Sequence, residues 1–106
     1  MTFEWDENKN QTNLKKHGID FETASWVFND AFRIEYYDND HSTDEDRYIV
    51  IGEINYKTLV LYVSYTERSD VIRLISARKA TASERRKYYD SKERNWYNKA
   101  LNEWTD

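Results

Sequence analysis

The stretch RYIVIGEINYKTLVLYVSYTERSDVIRLISA, residues 47–77, decides the fold. Two of its runs, RYIVIGEI (47–54) and TLVLYVSY (58–65), are almost continuously apolar and rich in β-branched and aromatic residues. That is the pattern of central strands buried on both faces. VIRLISA (71–77) is a third run of similar length, and the links NYK (55–57) and TERSD (66–70) are short enough for hairpins. Upstream, AFRIEYY (31–37) alternates, with Phe32, Ile34 and Tyr36 on one face. It joins the set across a polar loop, DNDHSTDED (38–46). A four-stranded antiparallel meander is the simplest topology.

Helices are expected on both sides of this block. TFEW (2–5) alternates Phe3 and Trp5 and has room for a short extra N-terminal strand. Asp6 then reads as an N-cap, with Glu7 facing the positive end of a helix that runs to His17 and stops at Gly18. Asp20 opens a second helix with core positions Phe21, Ala24 and Phe28, a staple between Ile19 and Ala24, and an end at Asn29 and Asp30. Thr81-Ala82-Ser83-Glu84 is a capping box. It opens a C-terminal helix with Tyr89, Trp96, Tyr97, Leu101 and Trp104 near one stripe and Arg85, Arg86, Lys92 and Lys99 opposite. The class is α+β: two N-terminal helices, four strands, one C-terminal helix.

Composition bounds what such a chain does. One domain is expected from 106 residues, with a thin core built from 4 Trp, 9 Tyr and 4 Phe. The absence of cysteine excludes disulfides, thiolate nucleophiles and cysteine-ligated zinc. No apolar run approaches a membrane span, and MTFEWDENKN lacks the basic start and apolar stretch of a signal peptide, so a cytoplasmic protein is expected. Net charge is −4, unevenly placed. Residues 1–46 hold 4 Lys/Arg against 12 Asp/Glu, a balance of −8, and residues 47–106 hold 12 against 8, a balance of +4. Any site for a polyanion must therefore be local. The charge sign and the lack of helix-turn-helix spacing count against a repressor acting alone.

Four clusters carry chemistry, each beside an ordinary explanation. Lys15-Lys16-His17-Gly18 puts cations where they complement a helix C-terminus. The same geometry projects an ammonium and an imidazole, a group that titrates near neutrality, towards one phosphodiester. The loop Asp38–Asp46 crowds acids around His41, a candidate second proton carrier. It fails the calcium-loop pattern, having Thr43 at the glycine place and Ile49 at the final glutamate place, and reads as a solvated loop. Arg73 and Arg78 in an apolar strand, with Glu67-Arg68 in the preceding turn, either pair with carboxylates such as Glu53, Glu67 and Asp70 or fork onto phosphate. Arg85, Arg86 and Lys87 beside Tyr88 and Tyr89 make either a solvated helix face or a surface that holds phosphates and stacks on bases.

Taken in order, FEWDENK…N…KHGIDFETA…VF, DHSTDEDRYIVIG and YTERSDVIRLISARKAT…ERRKYY resemble the BrnT family of bacterial type II toxins. The resemblance runs from Phe3 to about Tyr89 and leaves residues 90–106 as a helical extension of a single 1–106 domain. It implies a RelE-like fold, an antiparallel sheet with helices against it. It also implies a ribonuclease that inhibits translation, silenced by a BrnA-type ribbon-helix-helix antitoxin. The toxin would form a homodimer within the complex and reach DNA only through the antitoxin. The family's Lys-His-Gly triplet matches Lys16, His17 and Gly18. Its arginines match Arg47, Arg68, Arg73 and Arg78, and its acidic and aromatic positions match Glu45, Glu67 and Tyr89.

On this footing the expected reaction is metal-free RNA cleavage without a cofactor, leaving 2′,3′-cyclic phosphate ends. His17 exchanges the proton, and Lys16, Arg73 and Arg78 hold phosphate charge. Glu67 orients an arginine or acts as base, and Tyr89 stacks on a base or donates a proton. Lys15, Arg47, Arg68, Arg85 and Arg86 bind RNA. The pI of about 5.2 supports the alternative of a weakened or non-enzymatic toxin-like module that partners a DNA-binding antitoxin.

Overall fold

The computed structural model describes residues 1–54 and 58–104, with side chains as far as Leu101. The elements are β1 (Thr2–Glu4), α1 (Glu7–His17), α2 (Phe21–Ser25), a 3-10 turn (Trp26–Asn29), β2 (Ile34–Tyr37), β3 (Tyr48–Ile54), β4 (Leu59–Arg68), β5 (Val71–Lys79) and α3 (Ala82–Trp104). The class is α+β, but the expected four-stranded antiparallel sheet is corrected to five strands in mixed order, β1-β5-β4-β3-β2. β1 is the addition. It lies parallel to β5, pairing Thr2 with Val71 and Glu4 with Arg73, while Phe3 packs 5.3 Å from the Phe28 ring.

Other boundaries move for local reasons. TERSD is not a five-residue link: β4 continues through Arg68, and only Ser69 and Asp70 turn the chain, with φ of 47° and 70°. Such a tight left-handed turn matches the twist of the flanking strands. β2 starts at Ile34 because the Asp30 side chain accepts from Phe32 N and its carbonyl accepts from Arg33 N, folding 30–33 into a turn that leaves Phe32 outside the strand. The second helix tightens into the 3-10 turn after Ser25. There Val27 sits over Gly52, where any Cβ would come within 3.1 Å of it. The expected link 55–57 lies outside the described residues.

The N-terminal helix forms as the sequence requires. Asp6 caps Asn8 N and Lys9 N, and Gly18 closes it with φ of 72°. One buried residue then fixes its place. Asn13 donates to Ala77 O at 2.9 Å and accepts from Ala77 N at 3.1 Å, so its amide takes the place of a strand partner along the edge of β5 that β1 does not reach. It also donates to Ile19 O, tying in the chain after the helix.

The sheet has two differently covered faces. One carries Val50, Ile54, Leu61, Val63, Tyr65, Ile72, Leu74 and Ala77 under Phe21, Ala24, Val27 and Phe28, the main core. The other is only half covered. α3 closes over Ile49, Ile51 and Val60 with a fully buried Tyr88. The expected aromatic stripe is corrected here. Tyr88, not Tyr89, enters the core, and its hydroxyl donates to Asp30, which also accepts from Glu53 N. Burial and the Asp30 carboxylate push the Tyr88 phenol well above its ordinary value. Lys92, expected on the solvent side, turns inward to Glu53 at 3.5 Å and lies over the Phe32 and Tyr88 rings. Trp96, Tyr97 and Leu101 are exposed (61%, 58% and 45%), and the Trp104 side chain lies outside the described residues.

Candidate functional site

The half of the second face that α3 leaves bare is floored by polar side chains. Thr66 of β4 stands opposite Arg73 of β5, and Arg47 precedes β3 on the same side. A β-bulge shapes this floor: Tyr65 pairs with Leu74 but Ser64 pairs with Ser76, so Ile75 is the extra residue. Because of it, Leu74 and Ala77 both enter the main core, although three apart, while Ile75 and Ser76 both line the bare side. A strictly alternating strand could do neither.

One wall is α1. Lys9 and Lys16, seven residues apart, fall on one stripe with Thr12 and Asn13, and His17 ends it. Asn13 holds this stripe against β5 and thereby aims Lys9, Lys16 and His17 across the floor. The opposite wall is the 38–46 loop, which contributes His41, Thr43, Asp44 and Glu45. The two walls bound adjoining hollows of about 460 and 240 Å³ that share Lys9, Arg47 and Ile75, so they form one groove.

The charges in the groove differ in how far they are committed. Lys9, Lys16 and Arg47 make no ion pair with any described residue. Arg73 lies 3.4 Å from Glu4 at the sheet edge, with both side chains partly exposed. Arg68 is bonded to Glu45, and this holds the Glu45 carboxyl below the ordinary carboxylate value. His41 Nδ1 lies 3.0 Å from Asp38 Oδ2. The loop's acids are thus divided among separate partners, Asp38 with His41, Glu45 with Arg68, and Asp46 with the Tyr37 hydroxyl.

Of the residues singled out from the sequence, the groove brings together Lys16, His17, Arg47, Arg68 and Arg73. His41 and Glu45 line it as well, from the loop wall, whereas Arg78, Glu67, Tyr89, Lys15, Arg85 and Arg86 do not. Arg78 borders it on the α3 side, but its guanidinium is forked onto Glu84 at 2.8 and 3.0 Å and lies 3.8 Å above the Tyr62 ring. Glu67, between the groove-facing Thr66 and Arg68 on β4, points to the opposite face. Tyr89 donates to Glu53 at 2.6 Å, beneath α3. Lys15, Arg85 and Arg86 are exposed and line neither hollow. A hollow of about 650 Å³ along Asp90, Glu93, Trp96 and Tyr97 is the outside of a single helix and no cleft between elements.

The sequence reading missed Lys9, Thr66 and Ser76. The seven-residue spacing of Lys9 and Lys16 was the available signal for the first. The other two depend on the bulge and on β4 running past Tyr65, and no local pattern announces either. With three uncommitted cations, one lightly paired guanidinium and an imidazole on each wall, the groove can hold a polyanion and move protons to and from it. A family model described as "Ribonuclease toxin, BrnT, of type II toxin-antitoxin system" matches residues 5–84, and so stops just inside α3. No match was found among curated proteins.

Proposed function

The chain belongs to the BrnT family of ribonuclease toxins of type II toxin-antitoxin systems, and from that premise we propose that the groove between α1 and the 38–46 loop is where RNA is bound and cut. The observation that carries this reading is the concentration of Lys9, Lys16 and Arg47, none of them in an ion pair with a described residue, beside His17 in a chain of net charge −4. A positive pocket in a negative molecule draws a phosphodiester to one place.

In the proposed reaction an imidazole removes the proton of a 2′-hydroxyl, and that oxygen attacks the adjacent phosphorus. The bond to the 5′-oxygen breaks as that oxygen takes up a proton, leaving a 2′,3′-cyclic phosphate and a 5′-hydroxyl. In this scheme His17 exchanges a proton, and Lys16, Arg47 and Arg73 hold the charge on the phosphoryl oxygens. A positioned acid or base supplies about 10²–10⁴-fold, and a preorganised charge donor about 10²–10³-fold. The chemistry needs no metal. Arg78 and Tyr89, bonded to Glu84 and Glu53, and Glu67, on the opposite face, act at most indirectly, Arg78 by fixing α3 beside the groove. In the cell the outcome is inhibition of translation in the cytoplasm, relieved by a BrnA-type ribbon-helix-helix antitoxin that holds a toxin dimer. The arrangement of sheet and helices would be RelE-like.

The test is incubation of the purified protein with RNA and with DNA of the same sequence, in excess chelator. Cleavage of RNA alone, with cyclic phosphate ends, supports the proposal, and loss of cleavage on chelation sinks the metal-free scheme. A second reading is a weakened, non-cutting module. It is favoured by the pairing of Arg68, Arg73 and Arg78 with Glu45, Glu4 and Glu84. Growth arrest on expression, reversed by a neighbouring gene, without RNA cleavage would select it.

A further inference from the structure

His41 stands on the wall opposite His17, and its setting is more built than an exposed loop histidine requires. Ser42 donates to Asp38 O at 2.6 Å and accepts from Arg47 N at 2.9 Å, while Asp38 N donates to Arg47 O at 2.9 Å. The loop is therefore cross-braced at the point where it carries the Asp38–His41 pair. The Asp38 side chain is only 12% exposed, and a carboxylate can only accept, so the ring donates through Nδ1. That fixes the tautomer and leaves Nε2 as the nitrogen free to exchange a proton. The ring lines the smaller hollow together with Lys9, Arg47, Arg68 and Arg73 and the acids Asp44 and Glu45.

The two imidazoles differ in company. His17 has Lys16 and Arg47 near it and no carboxylate bonded to it among the described residues. His41 has Asp38, which balances its charge when it carries both protons. Cleavage of RNA by its own 2′-hydroxyl needs one group of each kind, on opposite sides of the phosphorus.

We infer that His41 is the general acid of the groove, passing its Nε2 proton to the departing 5′-oxygen while His17 takes the 2′-hydroxyl proton, with Asp38 as the positioning residue of His41. The inference rests on the ribonuclease reading. Proton and electron counts balance: the 2′-oxygen–phosphorus bond forms, the phosphorus–5′-oxygen bond breaks, and one proton enters at His17 as one leaves from His41.

The test uses the bond that the parent protein cuts, made once as ordinary RNA and once with sulfur in place of its 5′ bridging oxygen. A thiolate leaves without being protonated, so only the loss of an acid is rescued by sulfur. His41→Ala should lose about 10²–10⁴-fold on ordinary RNA and under about 10-fold on the sulfur-linked RNA. His17→Ala should lose comparably on both, and Asp38→Asn should share the His41→Ala pattern more weakly. Equal losses by His41→Ala on both substrates, or cleavage of ordinary RNA within about threefold of the parent, overturn the acid role and leave the ribonuclease reading standing. A parent that cuts no RNA overturns that reading, and this inference with it.

Discussion

Arg73 and Arg78 lie on the same strand and face the same side of the same sheet, yet they stand in two different kinds of place. Around Arg78 everything is matched. Its guanidinium forks onto Glu84, stacks on Tyr62 and abuts the helix whose Tyr88 closes the small core. Around Arg73 little is matched. Its ion-pair partner is the half-exposed Glu4, and the hollow it lines also holds Lys9 and Arg47, neither of them in an ion pair with a described residue. Hydrogen-bonded charge in a partly buried setting stabilises a fold, whereas like charges left facing water cost stability and favour an absent anion. One half of this face therefore reads as structure and the other as function, although the sequence writes both with the same residue type.

Tyr88→Ala strikes hardest at the matched half. It removes the fully buried ring that α3 contributes to the small core and the hydroxyl held by Asp30. We expect a loss of about 3–5 kcal/mol in urea unfolding, and a loss under 1 kcal/mol would show that α3 is not integral to the fold. Arg47→Ala sharpens the contrast from the other side. Cleavage should drop by about 10²–10³-fold, or about 2.7–4 kcal/mol in the barrier. Unfolding should stay within about 0.5 kcal/mol of the parent. Should Arg47→Ala unfold the protein instead, the division of the face fails.

Glu84→Gln should cost about 1–2 kcal/mol at neutral pH, because the carboxylate serves both Arg78 and the Thr81 cap. The Arg78 hydrogen bond holds the Glu84 carboxyl below its ordinary 4.5. Its stabilising contribution is therefore complete above that value and fades as pH falls through the lower folded one. Parent and variant should draw together in thermal unfolding as the pH is lowered through the carboxylate range, and a gap that stays constant throughout that range refutes the ion pair's role. The smallest effect is expected for Trp96→Ala, on the exposed far end of α3, with unfolding unchanged within about 0.5 kcal/mol.

Legibility in the sequence followed locality. The caps at Asp6, Asp20 and Thr81, the stop at Gly18 and the central strands were readable because each depends on a few adjacent residues. β1 was half visible, since Phe3 and Trp5 alternate, but its parallel pairing with β5 joins residues about seventy apart. The candidate site is legible to the extent that it is charged: Arg47 lines both hollows, one with Lys16 and His17 and the other with Arg68 and Arg73. What could not be read was commitment. Nothing local told Arg78 from Arg73, because the difference is Glu84 on a helix that folds back. Nothing local foretold the Ile75 bulge, which brings Ser76 to the groove. Tyr88 and Tyr89 are one residue apart, and on a helix that is a rotation of about 100°, enough to separate a core ring from an exposed one.

The amide of Asn13 grips a strand 64 positions further along the chain. Until β5 has been made, the first helix has no edge to lie against, and its lysines and imidazole face nothing. A nascent chain, or a fragment cut short before Ala77, carries the whole N-terminal wall of the groove and still has no groove. The groove, and whatever chemistry depends on it, waits on the making of β5.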